Sequence, residues 1–233
     1  DESLEEKALR GELPWIENPI DDSNAAAPDK RGLLGVAMTK KLTNIFQQCF
    51  TEGLNAPEHR PSMMEWAEVF EQAALTTLTC NNDACGQSFI YNRTKQCPFC
   101  DAECNPNESL LLKHYFYVPE FETENANQQS DCWINSQNGI VLTTNNPIPV
   151  KKLEPSSALY YQSAKLCQLE LTNNGLYITP EEGQTINLQR VSDGKTIPIT
   201  KPQLLKSESR SNSRFALHLE EMDQTHTVWI FNW

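Results

Sequence analysis

The spacing of apolar residues changes character near residue 80. Upstream, Leu42, Ile45, Phe46, Cys49 and Phe50 recur every three or four positions, which predicts an amphipathic helix from about Thr39 that Gly53 should end. A second stripe, Trp66, Val69, Phe70, Ala73, Ala74 and Leu78, follows Ser62-Met-Met-Glu65. That tetrad is a capping-box pattern, in which the Ser and Glu side chains satisfy each other's exposed backbone N–H groups. Residues 1–10 predict a short helix stopping near Gly11, and the prolines and Asp/Ser/Asn cluster of residues 13–28 predict a loop.

Downstream the period shortens to two. Residues 110–118 form a β-rich run, Cys132–Ile134 and Ile140–Leu142 flank Asn138-Gly139, and further candidate strands lie at 159–161, 165–171, 175–178, 186–191, 197–200, 215–219 and 228–233. Asn138-Gly139 is a hairpin signal, because both residues tolerate positive φ. The acidic, Asn/Gln-rich residues 120–131 read as an exposed loop. About nine short strands at this spacing predict an all-β sandwich or barrel. A forkhead-associated sandwich is one such shell, but the Gly-Arg and Ser-x2-His series of its phosphate site is missing: Ser213 and His218 are wrongly spaced.

Between the two regimes stand Cys80-Asn-Asn-Asp-Ala-Cys85 and, after eleven intervening residues, Cys97-Pro-Phe-Cys100. Two close cysteine pairs at this separation predict a zinc ribbon: each pair forms a knuckle, and folding one onto the other sets four sulfurs around one Zn²⁺. The residues Gln87–Tyr91 alternate like the strand such a hairpin needs, followed by a turn at 92–95. Cys80, Cys85, Cys97 and Cys100 are thus the candidate metal ligands, and Cys104 is a competing thiol. Four thiolates leave no open position for water or substrate, so the zinc is structural, worth ~10–16 kcal/mol in zinc-finger peptides. Two disulfides would need an oxidising compartment, and four reduced thiols without metal would be exposed to oxidation. The fold class is therefore α+β and multidomain: a helical unit over 1–79, a zinc ribbon over 80–108 and a β-domain over 109–233.

Charge narrows the partners. The 233 residues carry a formal net charge of −12, which argues against nucleic acid, since phosphate binding needs a lysine and arginine surface. Near the ribbon only Arg93 and Lys95 are basic. No apolar run reaches bilayer length and the first residues are no signal peptide, which predicts a cytoplasmic chain without membrane contact. The missing initiator Met fits a piece of something longer. Cys49, Cys132 and Cys167 read as buried free thiols. His59 reads as a loop residue, and His114, His218 and His226 as neighbours across strands rather than partners of a nucleophile. The acidic pairs Glu181-Glu182 and Glu220-Glu221 read as solvated, and residues 206–213, rich in serine, as a polar loop.

The combination Gly11-x-Leu-Pro-Trp15, Asp22-Ser-Asn24, Leu42-x2-Ile-Phe-x2-Cys-Phe-x2-Gly53-Leu54, Pro57-x2-Arg60-Pro61-Ser62 and Glu65-Trp66, leading to Cys80, resembles the end of the C-lobe of a bacterial eukaryotic-type Ser/Thr protein kinase. The resemblance covers residues 8–80. In that family the arginine matching Arg60 pairs with the glutamate of an upstream Ala-Pro-Glu motif, which this chain lacks. It also lacks the glycine-rich loop, the Val-Ala-Ile-Lys strand, the His-Arg-Asp loop and the Asp-Phe-Gly motif, so it is expected not to be an enzyme, although a longer parent would be a kinase. A kinase tail running into a zinc ribbon further resembles the kinase of the tellurite-resistance-associated phosphorylation triad. That implies a non-catalytic region docking a von Willebrand A-domain protein or a PP2C-type phosphatase, with an exposed carboxylate offered to the A-domain metal. The alternatives are a tail acting only on its own kinase domain, or a ribbon that binds nucleic acid.

Overall fold

Thr39 places its side-chain oxygen 3.1 Å from the N–H of Leu42 and so starts the helix that the apolar spacing predicts. A computed structural model describes residues 2–25, 27, 34–92, 94, 96–105, 107–119, 132–152 and 159–233. The expected loop over 120–131, and Arg93 and Lys95, lie outside the described residues. The chain falls into two units, 1–74 and 75–233. It is mainly β, with a small helical part and a cysteine cluster.

The first unit holds α1 (Glu2–Leu9), α2 (Leu34–Ala37), α3 (Lys40–Phe50), α4 (Glu52–Asn55) and α5 (Met63–Leu75), the last crossing by one residue into the second unit. Gly11, at φ 71°, closes α1: its N–H bonds Ala8 O at 3.0 Å, and the Glu12 N–H bonds Lys7 O at 2.9 Å. The capping box forms as its sequence predicts, with Ser62 N to Glu65 Oε2 at 2.7 Å and Glu65 N to Ser62 Oγ at 3.3 Å. Gly53 does not end α3. It sits inside α4, where a Cβ would come 2.8 Å from Arg60 Cγ. Arg60 donates to the carbonyls of Gly53 (2.7 Å) and Leu54 (3.3 Å), so it serves the C-terminal end of α4, a position where cations are favourable. Trp15, Phe46, Phe50, Trp66 and Phe70 form a continuous aromatic stack with centroids 4.9–6.4 Å apart.

In the second unit, α5 stops at Leu75 and Leu78 belongs to a strand, because Thr76, Thr77 and Thr79 favour extended backbone over helix. Strands β1 (Thr77–Thr79) and β2 (Ser88–Ile90) form a hairpin. Strands β3 (Ser109–Val118), β4 (Cys132–Thr143), β5 (Ile148–Lys151), β6 (Lys165–Thr172), β7 (Gly175–Pro180), β8 (Ile186–Arg190), β9 (Thr196–Ile199), β10 (Gln203–Lys206), β11 (Arg214–His218) and β12 (His226–Asn232) make two antiparallel sheets. Their orders are β10-β7-β6-β5 and β4-β3-β12-β11-β8-β9. Cys167, Leu169 and Leu171 of β6 alternate inward and meet Leu176, Ile178, Leu188, Leu217, Trp229 and Phe231 in one core shared by both sheets. Burying side chains of this size stabilises the fold by ~1.5–3 kcal/mol each. Cys167 is a buried thiol pushed up to about 12 by burial, whereas Cys49 is only half-buried.

Two further expected features differ, both in the β-rich part. Asn138-Gly139 is not a hairpin turn: β4 runs unbroken through it, with an irregularity opposite Lys113–Tyr115 and the positive φ at Gln137. Glycine suits a close approach there, since a Cβ on Gly139 would lie 3.1 Å from both Leu112 O and Thr76 Cγ2. The stretch 159–161 is not a strand but a 3₁₀ turn, Tyr160–Gln162, anchored by the Tyr160 hydroxyl donating to Pro149 O and accepting from Lys151 N. Residues 206–213 are well tied: Ser213 exchanges both backbone bonds with Trp233, and the Ser207 and Ser209 hydroxyls donate to Asn173 O and Lys206 O.

On the outward side of the six-stranded sheet, Tyr117, Ala216, Val228 and Ile230 form a second buried cluster. His218 and His226 lie beside it, their rings in contact with Tyr117. His114 instead packs its ring edge against Trp229.

Candidate metal centre

The hairpin β1–β2 carries the first cysteine pair at its tip. Its register, Thr79 opposite Ser88, is extended by the Gln87 carbonyl accepting the Cys80 N–H at 2.9 Å. Asn82 then organises the four residues between Cys80 and Cys85. Its side-chain oxygen accepts the Ala84 N–H at 3.1 Å, and its carbonyl accepts the N–H groups of Cys85 (2.8 Å) and Gly86 (3.0 Å). Gly86, at φ 56°, turns the chain back into β2. The Asx turn absorbs the two residues by which this knuckle exceeds the commoner spacing.

The second pair sits on a tighter turn. Cys97 N donates to Ala102 O at 2.8 Å and Asp101 N to Cys97 O at 2.9 Å, with Asp101 left-handed at φ 58°. Gln96 and Glu103 form an antiparallel bridge beneath it. In each knuckle a backbone N–H two residues on points at the first sulfur: Asn82 N to Cys80 Sγ and Phe99 N to Cys97 Sγ, both 3.5 Å.

These turns bring Cys80, Cys85, Cys97 and Cys100 together, with all four sulfurs within 4.8 Å of one another. Cys80 and Cys100 are 3.7 Å apart, Cys85 and Cys97 3.9 Å. Such a set can hold a metal ion. A tetrahedron with metal–sulfur bonds of 2.3 Å has edges of about 3.8 Å, whereas disulfide sulfurs sit about 2.05 Å apart. Cys80 and Cys97 are buried, and Cys100 is the most exposed of the four.

The four thiols influence one another's ionisation. Burial of Cys97 opposes ionisation, yet the N–H groups of Phe99 and Cys100 bring its pKa down to about 7. Cys80 accepts the Asn82 N–H, but burial and the surrounding thiols carry it up to about 12. One thiolate thus holds its neighbours protonated, and only a central positive charge lets all four ionise.

Cys104 lies outside the four-sulfur set, and burial followed by the charges of Cys97 and Cys100 raises its pKa. Asn82 was not legible as part of the site except by its place between the first two cysteines. Its side chain also reaches Cys100 Sγ, at 3.7 Å. Among the acidic pairs, Glu181 meets Lys165 at 2.6 Å and Glu220 meets Lys152 at 2.7 Å, while Glu182 and Glu221 stay exposed. No helix among the described residues is long and apolar enough to cross a membrane. Comparison of the chain with protein-family models, with curated proteins and with solved structures returns no match.

Proposed function

We propose that Cys80, Cys85, Cys97 and Cys100 bind one structural Zn²⁺ as a zinc ribbon, and that the chain is a non-catalytic docking region. The observation that carries the metal assignment is the sulfur spacing, 3.7 and 3.9 Å along two edges of a four-thiol set. Soft thiolates in a tetrahedral arrangement favour zinc over magnesium or calcium, and a closed shell assigns it to structure. Zinc would fix the two knuckles in a segment whose hairpin has only three residues per strand, too little to be stable alone.

Docking is supported by the helical unit. Its aromatic stack leaves Phe50 and Phe70 at the surface, and Met63 (82% exposed) and Met64 stand beside Trp66 in sequence. Aromatic and methionine side chains of this kind act as anchors in protein interfaces. The resemblance to a kinase tail names the occupants: a von Willebrand A-domain protein, with Glu182 or Glu221 available to its metal, or a PP2C-type phosphatase. The net charge of −12 disfavours nucleic acid.

A pull-down of the metal-loaded chain against the A-domain protein, the phosphatase and a kinase domain, with and without Mg²⁺, separates these readings. Saturable binding to either of the first two supports the triad. Binding to the kinase domain alone makes the chain a tail of its own kinase, and salt-sensitive binding to nucleic acid overturns docking to protein.

A further inference from the structure

A cleft of about 1050 Å³ opens between the cysteine-bearing segment and the six-stranded sheet, within the second unit. Its walls come from Thr94, Gln96 and residues 103–105 on one side, and from Ser109, residues 210–212 and Asn232 on the other, with Tyr91 between them. Three features of this wall are unlike ordinary surface.

The first is Arg210, the one cation among the described lining residues. Its guanidinium lies over the Trp233 ring, with the central carbon 4.9 Å from the ring centre, and one nitrogen donates to Ser109 O at 3.2 Å. No carboxylate pairs with it among the described residues, in a chain with a net charge of −12. Partial burial pulls its pKa below the usual arginine value, partly offset by Tyr91. Second, the Ser109 hydroxyl is buried, with the residue 4% exposed, and has no hydrogen-bond partner. A hydroxyl in that state costs about 1–3 kcal/mol unless something else bonds it. Third, Asn212 is held left-handed at φ 61°, and its side-chain oxygen is engaged by Asn232 Nδ2 at 2.9 Å, which leaves its amide NH₂ as a donor.

We infer that this cleft is a binding site for a small oxyanion-bearing ligand, its carboxylate or phosphate group held by Arg210 with the Ser109 hydroxyl and the Asn212 amide. The guanidinium retains donors in the fork geometry that fits either group. Ser109 and Asn212 supply neutral donors that bond a charged acceptor without competing for it. Glu103, exposed and also lining the cleft, repels anions in proportion to their charge, which favours a ligand of low charge.

The test uses the full, metal-loaded chain and two probes, inorganic phosphate and succinate, titrated at constant ionic strength by NMR. The expected result is a saturable shift of the Ser109, Arg210 and Asn212 resonances with at least one probe. Phosphate alone identifies a phosphate ligand, succinate alone a carboxylate, and both a general oxyanion site. Arg210→Gln should weaken binding at least tenfold. Because Arg210 also packs on Trp233, Arg210→Lys preserves that packing and should still lose most of the affinity of a forked contact. Asn212→Gly suits the backbone angle and should weaken binding several-fold. No saturable shift with either probe, or binding unchanged by these variants, overturns the assignment.

Discussion

His218 and His226 make the stability of the β-domain fall on acidification, and the structure sets the size of the effect. His226 Nδ1 lies 2.7 Å from the Gln224 carbonyl, which can only accept, so that nitrogen carries a proton. Its Nε2 then accepts from His218 Nδ1 at 2.8 Å. Gln189 Oε1 lies 3.3 Å from His218 Nε2, and a half-turn of that amide presents its NH₂ to the lone pair. Both rings are neutral in this arrangement. His218 is fully buried, and burial, followed by the neighbouring His226, drives its pKa down from 6.5 to about 3. His226 is lowered too, chiefly by burial, against the raising influence of Gln224, Glu220 and Asp223. The folded pKa is depressed, so the unfolded chain binds the proton first. Stability is complete above about pH 6.5 and is lost as pH falls toward the folded value. Linkage gives a loss of about 2 kcal/mol between pH 7 and pH 5 from His218 alone, a sizeable part of a typical ~5–15 kcal/mol. Denaturant midpoints of the wild type and of His218→Gln at pH 7, 6 and 5 measure it. The variant should be less stable at pH 7 but lose about 2 kcal/mol less on acidification. Equal pH slopes, or an imidazole resonance of His218 titrating near 6.5 in the folded protein, would show that burial does not hold His218 neutral.

Three further outcomes follow from packing and the metal site. Gly175→Ala should destabilise by about 3 kcal/mol or more in urea unfolding, since at φ 143° its Cβ would sit 2.0 Å from Leu205 O. Thr39→Ala should lower the stability of the helical unit by about 1 kcal/mol, read by circular dichroism, through loss of the cap on Leu42 N. Cys97→Ser should abolish tight metal binding, whereas Cys104→Ser should leave metal content and its chelator sensitivity unchanged, as competition with a chromophoric chelator will show.

Local chemistry made much of this molecule readable. The cysteine spacing placed four sulfurs together, the Ser62–Glu65 box and Gly11 marked helix ends, and β6 to β8 announced themselves by alternation. Signals that depend on distant chain were misread or silent. Asn138-Gly139 has the chemistry of a turn, but its glycine answers to Leu112 of β3 and to Thr76, just before β1. β5 and β10 lie at edges of the four-stranded sheet, where Pro149 or a run of only four residues hides the pattern. The bond between His218 and His226 depends on the β11–β12 register, and Arg210 reaches Ser109 across a hundred residues. The strand pattern already makes His218 and His226 neighbours, but their bond, like the Arg210 contact, could not be found from spacing.

Native mass spectrometry of the purified chain, joined to X-ray absorption at the zinc edge, tests directly whether Cys80, Cys85, Cys97 and Cys100 hold zinc. The expected result is one zinc per chain, bound by four sulfurs at about 2.3 Å and released by Cys97→Ser. A chain whose four thiols take up no zinc, or a zinc shell containing nitrogen or oxygen, would overturn the assignment.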